Sequence, residues 1–336
     1  MSPRVRILTT GGTIASTAGE SGDRPTVTGG SLIDSVPESD EIATLEVESV
    51  RQKLSFHLDF DDFAAISRAA RRASNDGVDG IVVTHGTDTL EESSYYLDLV
   101  TSLGVPVVFT GAQRSADRPG TDGPTNLRDA IRTAADERFR EGVFVAFNER
   151  VHAARRVTKR HASNLDGFAS PEGGPVAEFS PDGLRLLRQP ESESVSLPES
   201  AIGDRLECDA RIEIIASAAG VDGAALERAI DGGADGVVLA ASGVGNTTCS
   251  MGDALGAAIE RRVPVVVATR CYAGGVGAIY GGGGGSRTLR RHGAIPASDL
   301  PPWKARVKLG LAATAADGPD EVGSYFTDGY DNSFTN

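Results

Sequence analysis

The sequence predicts an α/β protein with a larger N-terminal domain built on a parallel sheet and a smaller C-terminal α/β domain. In the first half, short runs rich in Val and Ile alternate with helical patterns, which is typical of repeated βα units. The same alternation recurs on a smaller scale in the second half. These apolar runs do not alternate with polar residues, which favours strands buried on both faces of a sheet.

In the first half, the predicted strands cover residues 5–9, 80–84, 105–110 and 142–148, and the predicted helices cover residues 62–76, 90–103 and 126–141. The pattern lapses between residues 149 and 209. A basic segment, residues 152–161, lies there, followed by a predicted hairpin at residues 176–187 that turns at Ser180-Pro181-Asp182-Gly183.

The second half has predicted strands at residues 212–216, 236–240 and 264–269 and predicted helices at residues 224–231, 251–262 and 302–313. A polar stretch at residues 189–194 indicates a linker before them. We therefore expect a domain of residues 1–188 that carries both threonines discussed below, a linker of residues 189–208, and a domain of residues 209–336.

The composition is that of a globular protein, with 336 residues of which 40% are hydrophobic. No apolar run reaches the length of about 18 residues that a membrane-spanning helix needs. The first predicted strand begins at Val5, which leaves no room for a signal peptide. These features predict a cytoplasmic protein without a membrane partner.

The net charge is −14, and the only lysines are Lys53, Lys159, Lys304 and Lys308. Such an acidic chain is a poor candidate for binding nucleic acid. Acid excess combined with few lysines indicates adaptation to concentrated salt, where a Debye length of roughly 3 Å at 1 M screens surface repulsion. An ordinary acidic cytosolic protein is the alternative.

No cofactor is predicted. The cysteines Cys208, Cys249 and Cys271 lack metal-type spacing, so we expect free, non-catalytic thiols. The five histidines show no ligand pattern either, which argues against a catalytic metal. The glycine-rich start lacks both the dinucleotide-binding spacing and the phosphate-binding loop motif.

Two glycine-bearing turns, each following an apolar strand, carry the candidate chemistry. Gly12 precedes Thr13 after the first strand, and Gly86 precedes Thr87 after the second. Ligands collect at the carboxyl ends of strands in α/β sheets, and glycine lets a substrate approach the backbone closely. A threonine hydroxyl is a weak nucleophile that needs a base or a polarising network nearby.

Thr87 has such a network within reach if Lys159 folds back beside Asp88. Lys159 would then stabilise the Asp88 carboxylate while the hydroxyl relays a proton. The alternatives are structural: Thr13 as a helix N-cap, Thr87-Asp88 as a capping pair before Leu90, and Lys159 as a solvated charge.

Several segments resemble motifs of the bacterial-type L-asparaginase family, in the same order along nearly the whole chain. The two signature segments are Thr10-Gly11-Gly12-Thr13-Ile14-Ala15 and His85-Gly86-Thr87-Asp88-Thr89. The further segments are Gly111-Ala112-Gln113-Arg114, Thr121-Asp122-Gly123-Pro124-Thr125-Asn126-Leu127, Thr158-Lys159 and Gly243-Val244-Gly245-Asn246.

The resemblance implies an asparaginase-like fold and hydrolysis of the L-asparagine side-chain amide to L-aspartate and ammonia, without a cofactor, by a homotetramer of tight dimers. Thr13 matches the nucleophile that forms a β-acyl intermediate. Thr87, Asp88 and Lys159 match the second triad, and Asp88 would also face the substrate α-amino group. Ser55 matches the residue that holds the α-carboxylate.

Two more roles complete this expectation. Backbone N–H groups at the turns of Gly12 and Gly86 would meet the tetrahedral oxyanion. Asn246 matches an asparagine that approaches the site of a neighbouring protomer.

The sequence departs from the secreted relatives at three places. Phe56 stands where they place a glutamine toward the substrate amine, and residues 18–30 contain no tyrosine beside Thr13. Residues 271–285 lack the glutamate that crosses the dimer and resemble the cytoplasmic branch instead. Tyr280 is then a candidate cross-subunit partner, with a tyrosine packed at the base of the loop as the alternative.

Two other functions stay open. The ammonia-supplying subunit of an archaeal glutamyl-tRNA amidotransferase shares these motifs but usually carries an extra N-terminal domain, for which a first strand at Val5 leaves no room. A non-catalytic amino-acid sensor could keep the carboxylate and amine contacts. The presence of both threonines, Asp88 and Lys159 argues against a sensor.

Overall fold

The computed structural model describes residues 2–19, 22, 24–27, 29–36, 38–194, 197, 202–204 and 206–326. The chain divides into two compact units, Met1–Ser196 and Leu197–Asn336. Each unit is an α/β structure, with a large sheet in the first and a parallel four-stranded sheet in the second. The predicted fold class is confirmed, and the predicted boundaries at residues 188 and 208 stay a prediction.

The first unit contains strands β1 (Arg4–Gly11), β2 (Ser16–Thr17), β3 (Arg24–Pro25), β4 (Thr44–Lys53), β5 (Gly80–Thr84), β6 (Val107–Thr110), β7 (Val143–Phe147), β8 (Arg150–Ala153), β9 (Thr158–Lys159), β10 (Phe168–Ala169), β11 (Ala177–Ser180) and β12 (Gly183–Leu186). Eight of them form one sheet in the order β12-β11-β8-β7-β6-β5-β1-β4. The five neighbouring strands β7, β6, β5, β1 and β4 are parallel to one another. Strands β8, β11 and β12 extend the sheet in antiparallel pairs.

The helices of this unit are α1 (Gly29–Asp34), α2 (Ser39–Ile42), α3 (Phe60–Asn75), α4 (Leu90–Val100) and α5 (Gly123–Ala134), with 3₁₀ turns at Thr13–Ala15 and Ser55–His57. They cover both faces of the sheet. Ile7 of β1 packs in the cluster that contains α5, and its neighbour Leu8 packs in the opposite cluster with α3 and α4. Burial on both faces explains the unbroken apolar runs of these strands.

In the first unit, the sequence expectation missed the short elements β2, β3, β8, β9, β10, α1 and α2 as well as β4, and it made α5 too long. β4 was not predicted because its sequence is largely polar, which suits an edge strand that is half exposed. The predicted helix at residues 126–141 was too long: α5 ends at Ala134, and Asp136 then binds the backbone and guanidinium of Arg138 in a turn. The basic segment begins within strand β8, and the predicted hairpin is confirmed as β11 and β12.

The second unit contains the parallel strands β13 (Ile212–Ala216), β14 (Gly236–Ala241), β15 (Val265–Thr269) and β16 (Ile295–Pro296). Its helices are α6 (Ala224–Asp231), α7 (Cys249–Glu260), α8 (Ser286–Arg291) and α9 (Pro302–Ala315), followed by a 3₁₀ turn at Val322–Phe326. The six elements predicted here are confirmed, and β16 and α8 were missed because both are short.

All three cysteines are unpaired, and burial raises the pKa of the Cys208 thiol to about 11.

No helix within the described ranges combines the length and apolar character needed to span a membrane. In the same ranges, no three His, Cys, Asp or Glu side chains cluster as metal ligands.

Candidate functional site

The two threonine-bearing turns leave the same edge of the sheet. β1 and β5 are parallel neighbours, and Thr9 pairs with Thr84 at their carboxyl ends. After β1, the backbone turns at Gly11 and Gly12, whose φ angles are 100° and 80°. Residues other than glycine rarely adopt this region. The Gly12 N–H donates to the carbonyl of Lys53 at 3.1 Å, which fixes this turn against the end of β4.

The turns also contact each other directly. A Cβ atom on Gly86 would lie 3.2 Å from the Cα of Gly12, and a Cβ on Gly12 would overlap the backbone of Gly86. The Thr10 hydroxyl donates to the carbonyl of Thr84 at 2.9 Å and ties the two strand ends together. Because each glycine is followed by one of the candidate threonines, Thr13 and Thr87 come from turns that are packed backbone to backbone.

Thr13 is not a helix N-cap. It is the first residue of the 3₁₀ turn Thr13–Ala15, whose N-cap position is Gly12 and whose first turn has no side-chain cap. Thr13 is partly exposed while Ile14 and Ala15 are buried. The Ser16 hydroxyl donates to the Gly12 carbonyl at 2.8 Å and closes this short turn.

Lys159 lies beside both Thr87 and Asp88. Its Nζ donates to Thr87 Oγ1 at 2.8 Å and to Asp88 Oδ1 at 2.6 Å. The Lys159 side chain is only 13% exposed, so the alternative of a solvated charge is wrong. The capping alternative is also wrong, since the N-cap of α4 is Thr89 and its side chain makes no capping bond.

The backbone of Lys159 is fixed from two sides. β9 pairs with β10 in antiparallel register, with Lys159 opposite Phe168. On the other side, the Lys159 N–H donates to Oε1 of the buried Glu91 at 2.9 Å. Glu91 lies in the first turn of α4, so the helix that follows Thr87 also holds the segment that carries the cation.

Ser55 lies next to the same group. It is 4% exposed, and its Oγ accepts the Asp88 N–H at 3.3 Å. A Cβ on Gly86 would lie 2.5 Å from this oxygen, and the Thr89 hydroxyl donates to the Ser55 carbonyl at 2.9 Å. The neighbouring Phe56, which stands at the glutamine position of the secreted relatives, is 59% exposed.

Sequence reasoning gave no role to His85, which is fully buried between Phe63 and Phe109. Burial lowers the pKa of the His85 imidazole to about 4, so the ring is neutral at physiological pH. The neutral ring can donate from Nδ1 to the Gly86 carbonyl at 2.8 Å. Two features of the sequence could have indicated it: its place directly after β5 and its position at the start of the second signature segment.

The two remaining predicted residues belong to the second unit. The Asn246 Oδ1 accepts the Ser286 N–H at 3.0 Å. The Ser286 hydroxyl in turn accepts the backbone N–H groups of Ile279 and Tyr280, and the Tyr280 side chain is 57% exposed. The alternative of a tyrosine packed at the base of the loop therefore does not hold for this unit.

The first unit thus brings six of the predicted residues to one place: Gly12, Ser55, Gly86, Thr87, Asp88 and Lys159. A carboxylate, an ammonium and two hydroxyls converge beside glycine turns that a small molecule can approach. Such a group can bind a ligand that carries charges of both signs, and it can move a proton to or from a hydroxyl.

Two family models match the chain. The model described as "Asparaginase, N-terminal" matches residues 4–192, and the one described as "Glutaminase/Asparaginase C-terminal domain" matches residues 211–326.

Individual relatives agree with these matches. The chain is 34% identical to an L-asparaginase of Bacillus licheniformis over 317 residues, which are 93% of this chain and 95% of the relative. It is 32% identical to a glutamyl-tRNA(Gln) amidotransferase component of Methanothermobacter thermautotrophicus over 326 residues, which are 95% of this chain and 74% of the relative. The crystal structure of a probable cytoplasmic L-asparaginase from Campylobacter jejuni superposes with a TM-score of 0.87 at 29% identity, covering 97% of this chain and 99% of that one. The chain belongs to the asparaginase and glutaminase family.

Proposed function

We propose that this protein is an L-asparaginase that hydrolyses the side-chain amide of L-asparagine to L-aspartate and ammonia. The observation that carries the proposal is the position of the Lys159 ammonium, which contacts Thr87 Oγ1 at 2.8 Å and Asp88 Oδ1 at 2.6 Å beside the turn of Thr13. A partly buried cation in contact with a hydroxyl and a carboxylate is suited to proton transfer.

The substrate carries an α-ammonium and an α-carboxylate, and the site offers a partner for each. The Asp88 side chain is 55% exposed and faces the α-ammonium in this proposal, while the Ser55 hydroxyl binds the α-carboxylate. The Asp88 N–H and Ser55 Oγ are 3.3 Å apart, so both contacts can be made by one amino acid. Holding both charged groups orients the amide relative to Thr13.

In the proposed reaction, Thr13 Oγ attacks the amide carbon and forms a tetrahedral oxyanion, which backbone N–H groups of the glycine turns stabilise. The C–N bond then breaks, and the nitrogen leaves as ammonia with the proton from the threonine. Water attacks the resulting β-acyl ester, which releases L-aspartate and returns the proton to Thr13. Thr87, Asp88 and Lys159 relay protons during these steps.

The direct test is ammonia release from L-asparagine by the purified protein. We expect turnover that is lost in Thr13→Ala and Thr87→Val, with both variants folded by circular dichroism. Intact asparagine after binding would instead support a sensor. Parallel assays with L-glutamine and D-asparagine would define the substrate, because one methylene or one inverted centre changes where the amide lies.

A second candidate is the ammonia-supplying subunit of a glutamyl-tRNA amidotransferase. The observation in its favour is the similar identity to the two kinds of relative, 34% for an L-asparaginase and 32% for an amidotransferase component. A protein that passes ammonia to a partner enzyme is expected to turn over little asparagine without that partner. Rapid turnover by the protein alone, at the rate of a free enzyme, would therefore favour L-asparaginase.

Three finer features belong to the same proposal. We infer a homodimer or homotetramer in which Asn246 and Tyr280 complete the site of a neighbouring protomer. The likeness to a probable cytoplasmic L-asparaginase supports a cytoplasmic location and membership of that branch. The net charge of −14 with four lysines supports an archaeal-like chain adapted to salt.

A further inference from the structure

Gln113 lies beside Thr87 because of the register of the sheet. β5 and β6 are parallel neighbours in which Thr84 pairs with Thr110. Thr87 lies three residues after Thr84, and Gln113 lies three residues after Thr110, so the two side chains lie next to each other. The distance from Thr87 Oγ1 to Gln113 Oε1 is 3.4 Å.

The backbone of Gln113 is firmly held. Its N–H donates to both carboxylate oxygens of Asp122, at 3.1 Å and 3.0 Å. The Asn126 amide nitrogen binds the same carboxylate at 3.0 Å and also the Gly111 carbonyl at 2.9 Å. This partly buried framework holds the backbone of Gln113 in place relative to the end of β6.

The Gln113 amide also packs against Gly167. A Cβ atom on Gly167 would lie 2.2 Å from the Gln113 amide nitrogen, so this glycine leaves room for the amide in its present position. That nitrogen is buried and has no hydrogen-bond partner within the described residues. A buried amide donor without a protein partner costs free energy in the folded state.

The Thr87 hydroxyl has one proton to donate and lone pairs that accept. The Lys159 ammonium has only donors, so in its contact with Thr87 the threonine oxygen accepts. The Thr87 proton must then point elsewhere, and Gln113 Oε1 is the acceptor that the site offers it. At 3.4 Å this bond is longer than the usual 2.7–2.8 Å, so it orients the proton without holding it tightly.

We propose that Gln113 is a positioning residue that directs the Thr87 proton and keeps the Thr87 lone pair on Lys159. This inference rests on the proposed amide hydrolysis. It assigns a role to a side chain that acts through Thr87 and does not itself bind the substrate.

Gln113→Met and Gln113→Glu test the role. Met has a similar volume but no amide acceptor, so we expect kcat for L-asparagine to fall roughly tenfold, the size of one lost hydrogen bond, with KM changed less than about twofold. Glu adds a carboxylate beside Lys159, which favours its ammonium form, so the basic limb of the pH profile of kcat should move to higher pH. Gln189→Met makes the same chemical change at an exposed position and should match the wild type.

The outcomes are distinguishable. If the wild-type protein releases no ammonia from asparagine, the proposed function fails and this inference fails with it. If the wild type is active and Gln113→Met is equally active, only the role of Gln113 is overturned. A third outcome would show that Gln113 is purely structural. In that case both variants lose activity in step with a lower unfolding temperature while the pH profile of kcat does not move, or neither variant folds.

Discussion

Gly12 packs against the backbone of Gly86, so the turns that carry the two candidate threonines are in contact. Gly12 also has a φ angle of 80°. A methyl group at this position would therefore be strained and would push the turns apart. We expect Gly12→Ala to destabilise the protein by at least about 2 kcal/mol and to abolish asparagine hydrolysis. Urea unfolding and ammonia release measure the two effects.

Gly77→Ala is the matched control for this substitution. Gly77 has a φ angle of 75°, and a Cβ atom there would have nothing within 4 Å. It should cost roughly 1 kcal/mol of stability from backbone strain alone and leave activity unchanged. Equal effects of the two substitutions would mean that the contact between the turns is unimportant.

Lys159→Met removes the cation that contacts Thr87 and Asp88. Proton transfer by a positioned group contributes about 10² to 10⁴ in rate, so we expect kcat to fall by that factor. Arg160→Met removes a positive charge from the next residue, whose guanidinium pairs with Asp166 instead, and should retain most activity. A Lys159→Met enzyme with near-normal kcat would exclude Lys159 from the chemistry.

His85 should make the protein less stable in mild acid. Its pKa is lowered to about 4 by burial, from an ordinary value of 6.5. Between these values the unfolded chain takes up a proton that the folded protein does not, so stability falls as the pH drops from about 6.5 toward 4. We expect this one group to reduce the free energy of unfolding by about 2 kcal/mol between pH 7 and pH 5.

Urea unfolding of the wild type and of His85→Asn at both pH values measures this contribution. The variant should be less stable at pH 7, because it loses packing between Phe63 and Phe109. It should also lose about 2 kcal/mol less than the wild type on acidification. Identical pH dependence in the two proteins would mean that His85 titrates normally.

The acidic composition predicts a dependence on salt. With a net charge of −14, repulsion between carboxylates opposes the compact state at low ionic strength. At 1 M salt the Debye length is roughly 3 Å, so this repulsion is screened. We expect the thermal unfolding midpoint to rise, and the activity to hold or rise, between about 0.1 M and 2 M KCl. A midpoint that stays the same or falls across this range would refute adaptation to salt.

Ile279 and Tyr280 are 59% and 57% exposed to solvent. Because such apolar surface favours association, we expect the protein to self-associate through this part of the second unit. Ile279→Asp places a charge in that surface and should shift the protein toward a monomer with reduced activity. Sedimentation velocity and ammonia release at the same concentrations measure both. Leu187→Asp, at another exposed apolar side chain, should leave assembly unchanged. A fully active wild-type monomer would contradict the prediction.

The fold class followed from local patterns. Buried parallel strands such as β5 and β15 need apolar side chains on both faces, so they are visible as unbroken runs of Val and Ile. The edge strand β4 buries little of its length and has a polar sequence that resembles a loop. Short elements such as β16 contain too few residues to show any periodicity.

The candidate site likewise contains some residues that the local sequence indicated and others that only the tertiary structure brings together. Local sequence was enough to mark Thr13 and Thr87 as candidate site residues, because each follows a strand and a glycine. Lys159 is 72 residues from Thr87 in the chain, and only the folded β9–β10 hairpin and Glu91 bring its ammonium to the hydroxyl. The position of Gln113 depends on the pairing of Thr84 with Thr110. Strand register is set by side-chain packing and hydrogen bonding between distant segments, so only the tertiary structure could decide which side chains meet.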